Sequence, residues 1–348
     1  MFGIDKMLGN LIAMYGGVFM LSLLGALLLT PFSRKLAMKF NFYDAPGDRK
    51  VHTRLVPYLG GLGMYLSFVF GLISILGFRH QLTSIVVAAT FMVILGLVDD
   101  KSGMNPKVKL AGQILAALFV LNSEVCFNIF GSVWLDGFLT VFWIVGITNA
   151  INLLDNMDGL SSGVSAISAF TIFFVAAKNG QFLVGSLAAS LAGVCLGFLR
   201  YNFSPASIFM GDSGSMFLGF MLSATAVKLN LPSDGTWAGM IIPILALGLP
   251  ILDTTLVTVQ RYLNNRPVYL GGKDHCSHRL VALGLTHTQA VLTLYALAVL
   301  YGASALFVNS SNISMALPVF GVVCCASVIV FSRLSDVVVY KTVTSSES

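Results

Sequence analysis

LTSIVVAATFMVILGLVDD, residues 82–100, runs from an uncharged apolar stretch straight into two adjacent carboxylates. The apolar part has no polar face of the kind a surface helix of a soluble protein carries, and it does not alternate as a half-buried strand does. It reads as a helix passing through hydrocarbon, with Asp99 and Asp100 where it reaches water. Outward from it, similar stretches recur near 7–29, 59–78, 108–126, 134–149, 162–178, 181–199, 214–228, 238–260, 288–308 and 315–332. Together with 82–98 they predict an all-α, polytopic protein of about eleven transmembrane helices, one transmembrane domain over residues 1–348.

Composition agrees. Of 348 residues, 56% are hydrophobic and 10% charged, against roughly 25% charged in soluble chains. So few charges cannot clothe a soluble surface. A membrane barrel is excluded because its strands would alternate. The first stretch is too long for a signal peptide's apolar core and is expected to be the first span. The formal charge of +5 does not argue for nucleic acid, since the basic residues sit in short loops between apolar spans. The loops joining spans 1–2, 3–4, 5–6, 7–8 and 9–10, with the C-terminal end, hold 16 of the 20 Lys and Arg residues. The opposite set holds Lys6, Arg79, Lys178 and Lys228. This asymmetry places the N-terminus outside and the C-terminus in the cytoplasm. Cys126, Cys195, Cys276, Cys324 and Cys325 form no CxxC pair and are expected as core thiols.

The polar chemistry falls on the loops assigned to the cytoplasmic side. LVDDKSG carries Asp99 and Asp100; NAINLLDNMDGLSSG carries Asn149, Asn152, Asp155 and Asp158; YNFSPASIFMGDSGS carries Asn202, Phe209 and Asp212. Asn149, Asn152, Asp155 and Asp158 recur every third residue, so a helix continuing that far would present them as one stripe. Adjacent residues on a helix point about 100° apart, so Asp99 and Asp100 are expected to do different work. Clustered carboxylates repel one another unless a cation intervenes, and Mg²⁺ is held by carboxylates together with substrate phosphates. Bases suited to phosphate lie nearby: Lys101, Lys107 and Lys109, Lys50 within the Arg49–Arg54 run, and His275, His278 and Arg279 in GGKDHCSHRLVALG. The combination fits phosphoryl transfer between a soluble and a lipid-borne phosphate. Asp253 in PILDTT, inside an apolar span, is a separate functional candidate.

Each feature alone has an ordinary explanation. Asp99 and Asp100 can end or cap a helix, Asp155 and Asp158 can serve a turn, Asp212 can form an Asx-turn, and Asp253 can bond between helices. DxxDG also begins the CDP-alcohol phosphotransferase motif, but Ser162 and Gly163 replace its Ala-Arg. His275, Cys276 and His278 are weak evidence for zinc. What defeats the joint ordinary reading is segregation: Asp5, Glu124, Asp136 and Asp234 on the opposite side form no comparable cluster.

LVDDKSG, KVKLAGQ, NAINLLDNMDGL, FMGDSGS and HCSHRL, in that order and over roughly residues 31–288, resemble the polyprenyl-phosphate N-acetylhexosamine-1-phosphate transferase family, which includes phospho-MurNAc-pentapeptide translocase. The resemblance implies a reaction in which UDP-N-acetylhexosamine and undecaprenyl phosphate give undecaprenyl-diphosphate sugar and UMP, with Mg²⁺ or Mn²⁺. It implies Asp99, Asp100, Asp155, Asp158 and His278 as catalytic residues, and Asp212 with Asp155 as metal ligands. Asn149, Asn152, Asn202, Phe209, Lys109, His275, Arg279 and Lys50 are the implied substrate-binding set. The expected setting is the inner (cytoplasmic) membrane with the active site facing the cytoplasm. Besides substrates and membrane lipid no other partner is expected, save a second copy if the chain is a homodimer.

Family members often carry consecutive histidines where this chain has Ser277 and His278. That departure disfavours the pentapeptide translocase, and UDP-GlcNAc is the favoured donor. The lipid phosphate is the expected nucleophile, in direct attack or through an aspartyl intermediate. The rival from another class is a secondary transporter, for which Asp253 would be the coupling residue.

Overall fold

Backbone polar groups in hydrocarbon find no water, so the long apolar runs can only satisfy themselves as helices. The computed structural model describes residues 2–44, 55–77, 80–123, 125–229, 237–269 and 271–339. In chain order these form α1 (Phe2–Lys39), the short strands β1 (Tyr43–Asp44) and β2 (Val56–Pro57), α2 (Gly60–Leu76), α3 (His80–Ser102) and α4 (Pro106–Leu121). Next come α5 (Val133–Leu154), α6 (Leu160–Lys178), α7 (Phe182–Asn202) and α8 (Gly211–Val227). A 3₁₀ turn (Trp237–Met240), α9 (Ile241–Ala246), α10 (Gly248–Leu263), α11 (Cys276–Ala282), α12 (His287–Asn309) and α13 (Ile313–Ser335) complete the chain.

Every expected span coincides with helix, and the chain is a multi-pass membrane protein. Among the described residues, seven helices are long and apolar enough to cross a bilayer unaided: α1, α3, α5, α6, α7, α12 and α13. The other four expected spans fall on the shorter α2, α4 and α8 and on 238–260, which is broken between α9 and α10. The break has a local cause. Pro250 has no N–H to give the carbonyl of Ala246, and its ring crowds that turn.

Proline does not interrupt α1. Pro31 leaves the carbonyl of Leu27 without its intrahelical donor, and the Tyr201 hydroxyl, from α7, donates to it at 2.9 Å. α1 and α7 are in extensive contact. They approach backbone to backbone, for a Cβ on Gly193 would collide with the carbonyl oxygen of Phe19. Ser22 and Ser190 hydrogen-bond across the same seam at 2.7 Å, a contact suited to lipid-embedded helices.

α8 is the centre of the bundle. All residues from Ser213 to Val227 are buried, with α5, α3 and α2 packed around them. α13 is the opposite case, with Ile313, Met315, Val322, Val328 and Ile329 exposed as a lipid-facing helix requires. β1 and β2 pair antiparallel, Tyr43 opposite Pro57. β2 also hands the carbonyl of Pro57 to the N–H of Phe209 at 2.8 Å, which ties the segment before α8 to the start of α2.

The close α1–α7 seam gives a stability prediction. Gly193→Ala forces the two helices apart and costs about 1–3 kcal/mol, read as a lower melting temperature in detergent. Gly16→Ala, where a Cβ meets nothing within 4 Å, leaves the melting temperature unchanged or raises it.

Candidate active site

Four helix ends converge at one end of the bundle: the C-termini of α3 and α5 and the N-termini of α4 and α8. α4 starts there because Asn105 caps it, accepting the N–H of Lys107 at 2.9 Å, with Pro106 at the first helical position. This puts Lys109 one turn in. Its Nζ lies 2.9 Å from Asp99 Oδ2 and 2.8 Å from Asp212 Oδ2, and it donates to Asn152 Oδ1 at 3.3 Å. Asn152 Nδ2 in turn donates to Asp212 Oδ1 at 2.6 Å and to Ser215 Oγ at 2.8 Å. Asp99, Lys109, Asn152 and Asp212 thus form one network drawn from four helices.

The two adjacent aspartates diverge, as their angular separation on α3 requires. Asp99 faces Lys109, with its second oxygen accepting the N–H of Met104 at 2.6 Å. Asp100 turns instead to α8 and accepts the N–H groups of Asp212 and Ser213 at 2.7 and 3.1 Å.

The expected stripe of Asn149, Asn152, Asp155 and Asp158 is not one helical face. α5 stops at Leu154, Asp155 is its C-cap, and Gly159 adopts φ 77° before α6 begins. The four side chains go four ways. Asn149 pairs with Gln113, donating to its Oε1 at 2.7 Å, which joins α5 to α4 rather than facing the carboxylates. Asn152 holds Asp212. Asp158 accepts the N–H of Ala206 at 2.9 Å and holds the loop before α8. Asp155 receives no hydrogen bond or ion pair from a described residue. Burial, then the negative charges of Asp212, Asp100 and Asp158, push its pKa up to about 8.

Asn202, expected to bind substrate, has 2% of its surface exposed. It accepts from Gly159 N and Ser162 Oγ and donates to the carbonyl of Ile208. All of its amide is spent on fastening α6 and α7 to the loop that precedes α8. Phe209, in that loop, is half-buried and is bonded through its backbone to Pro57 and Gly60.

The segment from Asp253 to Arg279 is anchored from below. Asp253 is fully buried, and its carboxylate takes His275 Nδ1 at 2.8 Å and Cys276 N at 2.7 Å. Those bonds account for Asp253 without a coupling role in transport, and they turn His275 inward. Arg261 grips Asp274 through two 2.7 Å bonds, a buried bidentate pair. Arg279 is 1% exposed; its guanidinium donates to the carbonyls of Asp274, Leu334 and Val337. The expected substrate contact by Arg279 is therefore corrected: it closes the C-terminal end of α13 and is walled off from any ligand. His278 stays half-buried on the site side, where Ser277 donates to Asn156 Oδ1 at 2.6 Å and ties α11 to the Asp155–Asp158 turn. Lys50 lies outside the described residues, as does the rest of its basic run.

Asn156, Ser277, Gln113 and Ser215 escaped the sequence reading, although each sits inside a motif singled out there. Their hydroxyls and amides carry no signal until a partner is placed. The Arg261–Asp274 pair had no sequence signal at all. The five cysteines are free thiols; Cys195 and Cys276 are buried in the core as expected, Cys126 is half-buried, and Cys324 and Cys325 are instead exposed on α13. Among the described residues no three His, Cys, Asp or Glu side chains form a ready-made metal cage.

The fold and site define an all-helical, multi-pass membrane protein with an acidic, lysine-bridged centre at one end of its bundle. The glycosyl transferase family 4 model matches residues 82–230, which hold that centre. A probable undecaprenyl-phosphate N-acetylglucosaminyl 1-phosphate transferase of Bacillus subtilis (strain 168) is 39% identical over 309 residues, 86% of this chain and 86% of the relative. A decaprenyl-phosphate N-acetylglucosaminephosphotransferase of Mycolicibacterium smegmatis is 32% identical, covering 76% of this chain and 75% of its own. A phospho-N-acetylmuramoyl-pentapeptide-transferase of Bacillus cytotoxicus is 30% identical, covering 64% of this chain and 76% of its own. The chain belongs to glycosyl transferase family 4.

Burial, with His275 and Lys273 beside it, lowers the His278 pKa to about 4. The folded state then refuses a proton that the unfolded chain accepts at its ordinary pKa of about 6.5. Stability is accordingly highest above about pH 6.5 and falls as pH drops toward about 4. Melting curves in detergent across this window should show a shallower acid decline for His278→Gln than for the wild type; parallel curves would show that His278 is not the group responsible.

Proposed function

We propose that this protein transfers a sugar 1-phosphate, GlcNAc-1-phosphate foremost, from its UDP-sugar to undecaprenyl phosphate. UMP is released, and the undecaprenyl-diphosphate sugar serves cell-envelope polysaccharide synthesis. The observation that carries this is Lys109 bridging Asp99 and Asp212, with Asn152 on the same carboxylate and the side chain of Asp155 without a hydrogen-bond or ion-pair partner among the described residues. A cation set between carboxylates at the end of a lipid-embedded bundle suits a reaction between two phosphates, one in water and one on a lipid. The printed names of the Bacillus and Mycolicibacterium relatives describe transfer of this kind.

The residues present fit Mg²⁺, with Mn²⁺ as a substitute. Asp212 and Asp155 would hold it, and phosphate oxygens and water would complete its shell, which is how Mg²⁺ is commonly bound. When bound it supplies charge neutralisation to the diphosphate and eases departure of UMP.

The chain's own residues do the rest. Lys109 turns its ammonium to the phosphates that replace its carboxylate partners. A phosphate monoester has its second pKa near 6 and is mostly dianionic at pH 7, so alignment matters more than a strong base. A lipid-phosphate oxygen forms a bond to the β-phosphorus. The bond from that phosphorus to the bridging oxygen breaks, and its electron pair leaves with UMP. Asp99, at the water-facing end of α3, accepts a residual proton from the lipid phosphate. His278 stays neutral at physiological pH and donates or accepts a hydrogen bond rather than contributing charge.

The asymmetry of 16 basic residues against four across the loops supports a cytoplasmic site in the inner membrane, with the N-terminus outside. The second reading, transfer of phospho-MurNAc-pentapeptide, is supported by the Bacillus cytotoxicus relative. Ser277 weighs against it, because that enzyme's loop resembles a run of histidines.

Purified protein given undecaprenyl phosphate, Mg²⁺ and UDP-GlcNAc should release UMP and form the lipid product. EDTA and Asp212→Ala should each abolish release. Product from UDP-MurNAc-pentapeptide alone would transfer the assignment to the second reading, and solute uptake by proteoliposomes without UMP release would sink both. Lys109→Met should cut turnover by about 100-fold or more while the protein stays folded; near-normal turnover would remove Lys109 from the site.

A further inference from the structure

We propose that Asp100 is a positioning residue, which sets the aim of Asp212 by clamping the first turn of α8 and does not itself touch either substrate. The inference rests on the transfer reading above and assigns the two adjacent aspartates opposite kinds of work.

The geometry is specific. Both carboxylate oxygens of Asp100 are occupied, Oδ1 by the N–H of Asp212 at 2.7 Å and Oδ2 by that of Ser213 at 3.1 Å. The first N–H groups of a helix have no intrahelical acceptor, and a negative charge there also meets the positive end of the helix dipole. Ordinarily a residue just before the helix supplies such a cap. Here Met210, at that position, makes no side-chain cap. The cap arrives from another helix, 112 residues earlier in the chain.

The surroundings are shaped to admit it. Gly211 has φ 70°, in the left-handed region that favours glycine. A Cβ at Gly211 would lie 2.7 Å from Asp100 Oδ2 and 2.7 Å from the carbonyl of Tyr58. Gly96, one turn before Asp100 on α3, has no room for a Cβ either, because the backbone of Ser213 occupies that space. α3 therefore lies backbone against backbone on the start of α8, and Asp100 is the polar pin through the contact.

The consequence reaches the site through one residue. The N–H that Asp100 holds belongs to Asp212, whose carboxylate meets Lys109 and Asn152. Loosening the clamp swings that carboxylate relative to Asp99 and Lys109. A displacement of about 1 Å in a catalytic constellation can cost about 100-fold in rate. Asp99 meets Lys109, Met104 and the side chain of Asp212, but it holds no backbone N–H of α8.

The test compares the full-length wild type with Asp100→Asn, Asp100→Ala, Gly96→Ala and Asp99→Asn in detergent. Amide hydrogen exchange over residues 209–216 reads the clamp, and UMP release across pH reads the chemistry. Asn keeps one acceptor oxygen at a capping position. Asp100→Asn should therefore keep the Asp212 amide protected and retain about a tenth or more of kcat. It should also keep the wild-type acid limb of the pH profile and the wild-type KM for the donor. Asp100→Ala should lose protection at both amides and fall by about 100-fold in kcat. Gly96→Ala should lower protection and kcat together with the Asp100 carboxylate intact. Asp99→Asn should leave exchange unchanged. Asp100→Asn as inactive as Asp100→Ala, with 209–216 still protected, would overturn the proposal, since Asp100 would then act in the chemistry. Unchanged protection in Asp100→Ala would overturn it as well. A wild type that releases no UMP would sink the transfer reading, while the exchange pattern would still decide the clamp.

Discussion

The Lys109 ammonium is the single charge on which the polar end of the bundle depends. Asp99 comes from α3 and Asp212 from α8, and their carboxylates face each other in a partly buried space where repulsion is poorly screened. Lys109, from α4, lies within 3 Å of both. Lys109 offsets the repulsion between these two carboxylates where the C-terminus of α3 meets the N-terminus of α8. The arrangement is also one that a substrate can enter. Phosphates compete for the lysine, and the carboxylates it leaves are the natural ligands of a divalent ion. Lys109 offsets part of the resting site's negative charge from within, and the same ammonium is at hand when a diphosphate arrives.

Much of the remaining polarity holds the frame. Asp100 grips α8, Asp158 and Asn202 fix the loop before it, and Asn149 and Gln113 lock α4 to α5. Asp253, Arg261, Asp274 and Arg279 do the same for α11. A buried polar group without a partner costs about 1–3 kcal/mol, more if charged, and each of these side chains makes at least one specific hydrogen bond, although Nη2 of Arg279 has none. Asp155 departs from this rule. Its carboxylate has no protein partner among the described residues and sits among like charges. That is the signature of a group whose partner comes from solution.

The helices and their apolar character were legible because 3.6-residue periodicity is irrelevant to a chain in lipid; unbroken apolarity suffices. The span count was less so. Residues 238–260 read as one span because hydropathy averages over Pro243 and Pro250, whereas a helix must satisfy each carbonyl separately. Within the site, sequence order grouped Asp99, Lys109, Asn152 and Asp212, since alternate helix ends in an up-and-down bundle fall on one side, and the structure brings these four together. It misplaced the direction of other side chains. The regular spacing from Asn149 to Asp158 suggested one face, but the left-handed Gly159 and the end of α5 at Leu154 disperse it. Arg279 looked like a phosphate ligand because charge is visible in sequence, while the carbonyls of Leu334 and Val337 that claim it are not.

Placing a positive charge among the carboxylates also bears on why the lipid acceptor and the soluble donor can meet at all. The donor brings two negative phosphate groups and the acceptor another, and each must approach a region already carrying Asp99, Asp155 and Asp212. Long-range attraction by a basic rim counters that only in part, because water and salt screen charges beyond about 8–10 Å. The decisive compensation has to be local and dry. Lys109 supplies one unit of it from within the protein, held ready by Asn105 at the cap of its own helix. Lys109 stands where α3, α4, α5 and α8 meet, so the point at which the protein itself compensates phosphate charge is built into their packing.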